Sequence, residues 1–139
     1  MKRILIVDDD VRLLDITRKA LAATGEYELM TEDSGRRALT AAATFKPDLV
    51  ILDVMMPGMD GGEVASALRR HPATRDVPVL FLTSLASRGE RTTADGGKRG
   101  IGRYLAKPVD PQELCRRVAE LLNSDVGPKS VRPIETGAP

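Results

Sequence analysis

The chain of 139 residues has no tryptophan, one cysteine, one histidine and only four phenylalanine and tyrosine residues together. A single cysteine excludes an internal disulfide and a cysteine-cluster metal site, and Cys115 falls within an apolar helical pattern, where it reads as a packing residue. His71 stands before Pro72 in polar surroundings and reads as a surface side chain. Charge of either sign is barely in excess: 21 Lys and Arg against 20 Asp and Glu leave +1, too little for a global field that would draw nucleic acid or an anionic membrane. Long hydrophobic runs are missing too. The run Ile4–Val7 stops at Asp8-Asp9-Asp10, too early for a signal-peptide core, and no segment approaches a membrane span. The expectation is a cytoplasmic protein with no membrane insertion and no direct nucleic-acid binding.

What remains is enough for one ordinary core, since 42% of the residues are hydrophobic. Short aliphatic runs alternate with helical patterns, the mark of a parallel sheet covered by helices on both faces. The runs are Arg3–Val7, Glu28–Thr31, Leu49–Leu52, Val79–Leu82 and Arg103–Ala106. The first and third are nearly continuous Ile, Leu and Val, as central strands require, whereas the polar Glu28–Thr31 belongs at an edge. Leu13, Leu14, Thr17 and Leu21 recur at helical spacing before Gly25, and an alanine-rich helix is expected around Arg36–Ala43. Asp60 and Glu63 form a capping box that opens a helix near Gly61–Arg69, and Asp110, Pro111 and Glu113 repeat that logic for a last helix carrying Leu114, Val118, Leu121 and Leu122. Between Leu85 and Ile101 four glycines and little apolar surface predict a short or mobile fourth helix. Its basic residues Arg88, Arg91, Lys98, Arg99 and Arg103 read as a solvated loop rather than an acidic-partner site. The expected domain is 1–123, followed by a disordered tail or linker over 124–139.

In an open parallel sheet the ligand site lies outside the carboxyl ends of the strands. There the sequence supplies Asp8 and Asp9, Asp53, Thr83 with Ser84, and Lys107. Converging carboxylates repel one another and call for a cation; oxygen ligands without His or Cys point to Mg2+. Lys107 adds a fixed positive charge and Thr83 a hydroxyl donor, so together with the metal they could neutralise a phosphoryl group. A carboxylate can attack phosphorus, and Asp53, on the central strand, is best placed for it. Taken singly, Asp8–Asp10 could be helix caps, Thr83 a strand residue and Lys107 a solvated charge; the matched strand ends favour the site.

The segments Ile4-Leu5-Ile6-Val7-Asp8-Asp9-Asp10, Asp53-Val54-Met55-Met56-Pro57-Gly58-Met59-Asp60-Gly61, Thr83-Ser84 and Tyr104-Leu105-Ala106-Lys107-Pro108 resemble, in order and spacing, the bacterial receiver domains of two-component signalling. The resemblance implies a flavodoxin-like, doubly wound α/β fold with strand order 2-1-3-4-5. It implies that Asp53 takes phosphate from a histidine kinase or phosphotransfer protein, and that Asp9, Asp53 and the Met55 backbone carbonyl bind magnesium, with Asp8 acting through water. Lys107 would pair with the phosphoryl oxygen, and Lys107–Pro108 would be a cis peptide. Thr83 would move toward the phosphate and let Tyr104 turn inward, remodelling the face of the fourth helix, fifth strand and last helix for a downstream protein target. A monomer is expected before phosphorylation.

The glycine-rich fourth crossover departs from that family and puts its dimer contact in doubt. The positions two beyond Asp53 and Thr83, which flank the path of attacking water in the family, are the apolar Met55 and Leu85, so self-dephosphorylation should be slow. A magnesium-dependent phosphatase built on Asp53 is the alternative from another class, but no positioned acid or base and no substrate cap accompanies it. An interaction module that never takes phosphate is the other alternative. A stand-alone regulator and the amino-terminal piece of a longer chain both remain open.

Overall fold

The computed structural model describes residues 1–83 and 104–123. In chain order they form β1 (Lys2–Val7), α1 (Val11–Ala22), β2 (Tyr27–Glu32), α2 (Gly35–Phe45), β3 (Leu49–Asp53), α3 (Gly61–Arg70), β4 (Val79–Thr83), β5 (Tyr104–Ala106) and α4 (Pro111–Asn123). The expected fourth crossover helix, its basic residues, Ser84, Leu85 and the tail 124–139 lie outside the described residues.

All pairings are parallel, in the order β2-β1-β3-β4-β5. Side chains alternate across a strand, so the aliphatic runs feed two separate cores. Ile4, Ile6, Leu49, Ile51, Leu80 and Leu82 meet Leu14 and Leu21 of α1 and Leu114 and Val118 of α4 on one face. On the other face Leu5, Val7, Val50, Leu52 and Val79 meet Ala38, Ala41 and Ala42 of α2 and Val64 and Leu68 of α3. Every residue of β3 is buried, which is why its sequence shows no polar alternation. The more polar β2 lies at the sheet edge, beside β1 alone. Cys115 packs against the first core, its thiol 3.7 Å from the Ala20 carbonyl.

The caps read from the sequence are present. Asp60 Oδ1 accepts from the Glu63 N–H at 2.9 Å while Glu63 accepts from the Asp60 N–H at 3.0 Å, and Asp110 accepts from the Glu113 N–H at 3.0 Å. These caps set where α3 and α4 begin. Among the described residues no helix is long and apolar enough to cross a membrane.

Candidate functional site

β1 and β3 are neighbours although β2 lies between them in sequence, so the chain winds away from this seam in opposite directions and leaves a crevice at their carboxyl ends. Backbone hydrogen bonds continue the strand pattern into it: the Asp8 N–H donates to the Glu32 carbonyl (3.2 Å), Val54 to Leu82 (3.0 Å) and Lys107 to Thr83 (2.8 Å). Each loop therefore leaves its strand in a fixed direction.

The three consecutive aspartates divide their work. Asp10 caps α1, its Oδ1 accepting from the N–H groups of Arg12 (3.0 Å) and Leu13 (3.3 Å). Asp8 is buried in the crevice, one oxygen accepting from the Asp10 N–H at 3.0 Å and the other facing the Lys107 Nζ at 3.3 Å. Asp9 is exposed, yet carboxylate oxygens of Asp8, Asp9 and Asp53 all lie within 4.8 Å of one another. Asp53, only 5% exposed, receives Lys107 Nζ at 2.8 Å. The capping reading thus holds for Asp10, while Asp8 and Asp9 turn to the cluster.

Lys107 pairs with two of the three clustered carboxylates, Asp8 and Asp53. Burial pushes the Asp8 carboxyl above its ordinary value against the pull of the Asp10 N–H and Lys107. Burial likewise raises Asp53, with the Lys107 hydrogen bond opposing and the Asp8 charge adding. Burial pulls the Lys107 ammonium down, but its bond to Asp53 and the charges of Asp8 and Asp53 outweigh that, holding it above its ordinary value. The cluster retains an excess of negative charge that a hard divalent cation would relieve, and its donors are all oxygens, the set that suits Mg2+.

The sign of the linkage follows. A carboxyl that holds its proton more tightly when folded contributes most below the ordinary carboxylate range, and stability falls as pH rises through the raised folded value. At neutral pH the raised Asp8 and Asp53 carboxyls therefore oppose folding, whereas the raised Lys107 ammonium favours it. Magnesium at ~100 times its dissociation constant should stabilise the protein by about 2.7 kcal/mol, read as a rise in Tm at pH 7 that shrinks as the carboxylates are protonated. An unchanged Tm across a magnesium titration would count against the cation site.

Thr83 ends β4, buried, with Ala106 opposite it in register. The ring of Tyr104 stacks on Phe81, centroids 5.1 Å apart, and lies outside the carboxylate cluster. Phe81 and Thr83 share one side of β4, and Phe81 is in register with Tyr104. The Lys107–Pro108 peptide is cis. His71 sits exposed beyond the last turn of α3, at the end opposite Gly61, its Nδ1 3.4 Å from the Ala73 N–H.

Two features were not singled out from the sequence. The first is Gly61: a Cβ there would stand 2.5 Å from the Asp53 carbonyl oxygen and 3.0 Å from the Val54 Cα, while its N–H donates to the Val54 carbonyl at 3.0 Å. Glycine beside a capping Asp was the available signal, but the close approach is tertiary. The second is an apolar recess of about 500 Å³, lined by Leu13, Ile16, Leu82, Pro108 and Val109, with Asp8 and Lys107 at its polar end. Val11, Ile16 and Met55 are the large hydrophobics most exposed among the described residues apart from Met1. They come from α1 and the loop after β3, both of which begin beside the carboxylates.

A family model described as the response regulator receiver domain matches residues 4–119. The response regulator PleD of Caulobacter vibrioides is 43% identical over 122 residues, covering 86% of this chain and 26% of PleD. A crystal structure of a response regulator from Chloroflexus aurantiacus superposes with a TM-score of 0.77 at 35% identity, covering 88% of this chain and 98% of that one. The receiver domain of a sensor histidine kinase from Pseudomonas aeruginosa, solved with magnesium coordinated in its active-site cleft, gives a TM-score of 0.74 at 26% identity, covering 88% and 98%. The chain spans from about a quarter to about three fifths of the length of the curated relatives it matches.

Proposed function

The chain belongs to the response regulator receiver domain family, and from that premise we propose that it carries a phosphoryl group on Asp53, received from a phosphohistidine protein in the cytoplasm. The observation that carries this reading is the Lys107 ammonium, 2.8 Å from Asp53 and 3.3 Å from Asp8, in a cluster closed by Asp9. A carboxylate oxygen of Asp53 attacks phosphorus, the bond from phosphorus to the imidazole nitrogen breaks, and the imidazole leaves with the electron pair and takes up a proton. Asp8, Asp9, Asp53 and the Met55 carbonyl would hold magnesium. When bound, the ion offsets charge on the phosphoryl oxygens. Lys107 neutralises a further oxygen, and the Thr83 hydroxyl, at the end of β4, can donate to another.

Thr83 and Tyr104 lie on one side of the adjoining β4 and β5. A Thr83 drawn toward the phosphoryl group vacates space on that side, and Tyr104 is the residue positioned to respond, altering the surface that a downstream protein reads. The test of the acceptor function is direct. Incubation with magnesium and acetyl phosphate should add one phosphoryl group by intact mass; no gain, together with failure to bind beryllofluoride, would leave an unphosphorylated interaction module. Steady phosphate release from phosphomonoesters would instead indicate a hydrolase.

A protein donor would dock on the apolar surface of α1 and the recess beside Asp8 and Lys107. Ile16→Glu puts a charge into the recess beside Asp8 and Lys107, and should slow transfer from a phosphohistidine protein by about tenfold, the equivalent of ~1.4 kcal/mol. The effect on acetyl phosphate, which needs no docking surface, should be much smaller. Equal loss with both donors would contradict a docking role.

Self-dephosphorylation should be slow because the Met55 thioether, a weak acceptor at best, is ill suited to orient a water. Met55→Glu should shorten the phosphoprotein half-life by about tenfold, a modest part of what a positioned base can supply. A parent half-life of seconds, insensitive to polar residues here, would count against this.

A further inference from the structure

Gly35 opens α2 behind the Ser34 cap, and its φ lies outside the left-handed region. Alanine suits a helix better than glycine, by up to about 1 kcal/mol, so backbone conformation does not call for a glycine here. Space does. A Cβ on Gly35 would stand 2.8 Å from the Met59 carbonyl oxygen, 3.0 Å from a Val64 methyl carbon and 3.1 Å from the Met59 Cβ. Met59 belongs to the loop that follows Asp53, so the nearest obstruction is the backbone of that loop, ahead of α3. We propose that Gly35 is a positioning residue for the cation: by letting the start of α2 meet the Met59 backbone, it holds the loop, and with it the Met55 carbonyl, where magnesium is to bind. The inference rests on the magnesium and acceptor reading of the Asp53 cluster.

The loop is tied at its base. The Val54 N–H donates to the Leu82 carbonyl at 3.0 Å, and the Val54 carbonyl accepts from the Gly61 N–H at 3.0 Å, so the chain leaves and re-enters the fold at one point. Between these ends it has two side-chain anchors. Met56 is buried in the second core, and Met59 packs against the same core with Gly35 on its backbone. The turn between them is held internally, the Met59 N–H donating to the Pro57 carbonyl at 2.9 Å, with Gly58 at φ 82°. Pro57, Gly58 and Met59 therefore move as a unit, and a push on Met59 is passed back toward Met56 and Met55. Met55 itself is 64% exposed, which leaves its side chain little contact with which to resist.

The size of the displacement decides whether the cation would feel it. To reach ordinary contact a Cβ on Gly35 needs the Met59 carbonyl about 0.6 Å farther away, at 3.4 Å instead of 2.8 Å. α2 is the stiffer partner, since Ala38, Ala41 and Ala42 seat it directly in the second core, so most of the shift falls on the loop. Magnesium demands near-ideal octahedral geometry with ligands at about 2.0–2.1 Å, and a carbonyl moved by a few tenths of an ångström no longer fits. The contact with Val64 allows a plainer reading, in which Gly35 serves only the packing of α2 on α3. That reading predicts a loss of stability alone, with the cation held as before.

The experiment titrates the full chain, metal-free and well below the Tm of every variant, with Mg2+ alone, and follows binding by the NMR shifts of the backbone amides. Gly35→Ala should bind Mg2+ roughly tenfold more weakly than the parent, the lower end of what lost support behind a metal ligand costs. Its Met55 and Met56 amides should be shifted before any metal is added. Val118→Ala hollows the first core on the other face of the sheet, and should lower the Tm while leaving the Mg2+ affinity unchanged. If Gly35→Ala does not fold, Met59→Ala takes its place, because it leaves α2 intact and removes the loop's own anchor in the second core; the affinity should fall in the same sense. Unchanged affinity in the folded Gly35→Ala, or in Met59→Ala where it stands in, would overturn the inference while the parent still binds. An equal loss in Val118→Ala would overturn it too, as a general effect of lowered stability. No Mg2+ binding by the parent would overturn the cation reading and this inference with it.

Discussion

Asp53→Asn takes up no phosphoryl group from acetyl phosphate and magnesium, and it unfolds above the parent in metal-free buffer at pH 7. The first half follows from chemistry: an amide oxygen is a poor nucleophile toward phosphorus and carries no charge to recruit the cation. The second follows from the imbalance of charge. Three carboxylates, Asp8, Asp9 and Asp53, cluster where Lys107 pairs with Asp8 and Asp53, and burial already pushes these two above their ordinary values. Removing one negative charge leaves the Lys107–Asp8 pair, so no buried cation is orphaned. Relief of about 1 kcal/mol corresponds to a Tm rise of roughly 3–5 °C for a domain of this size. The difference between variant and parent should narrow as pH falls toward the raised carboxyl values, and narrow again when magnesium is added to the parent. A variant less stable than the parent under all these conditions would mean that Lys107 depends on Asp53 more than the cluster suffers from it.

Gly61→Ala should be the most damaging single-carbon change near the site. Its Cβ would lie 2.5 Å from the carbonyl oxygen of Asp53 itself, inside any tolerable contact, and the obstructing atoms are backbone. Either α3 withdraws from β3 or the peptide after Asp53 rotates. The cost should be about 2–3 kcal/mol, as for other overpacked interiors, and Tm should drop by roughly 8–12 °C. Phosphoryl uptake should fall in the fraction that stays folded, because the displaced peptide belongs to Asp53, the proposed acceptor. Gly62→Ala is the matched control. A Cβ there meets only the Asp60 carboxylate at 3.4 Å, and alanine favours a helix by up to about 1 kcal/mol over glycine. Thermal unfolding of the two variants side by side decides the matter; similar Tm values would show that the strand end gives way easily.

Much of the layering was legible because burial on both faces leaves a plain mark. β1 and β3 read as continuous aliphatic runs, and polar β2 read as an edge. The capping box at Asp60 and Glu63 marked the start of α3, since those side chains satisfy backbone donors that only a helix start leaves open. The acids and Lys107 could be found by reading strand ends, although Asp53 and Thr83 proved to be the last residues of their strands rather than the first beyond them. Distances between elements could not be read. No local pattern shows that the start of α3 presses on the Asp53 peptide, nor that Ile16 of α1 faces Pro108 and Val109 across a recess. Such features depend on how elements dock, which hydrophobic periodicity constrains only to a face.

The ion pair between Lys107 and Asp8 joins positions 99 residues apart. No short fragment of the chain can reproduce the charges around Asp53. On a translating ribosome, this arrangement of charge cannot exist until the segment bearing Lys107 has emerged and closed onto the ends of β1 and β3. If Asp53 is the acceptor proposed above, a half-made or unfolded copy would lack the charges that acceptance needs, and only molecules that have completed their folding would take up phosphate.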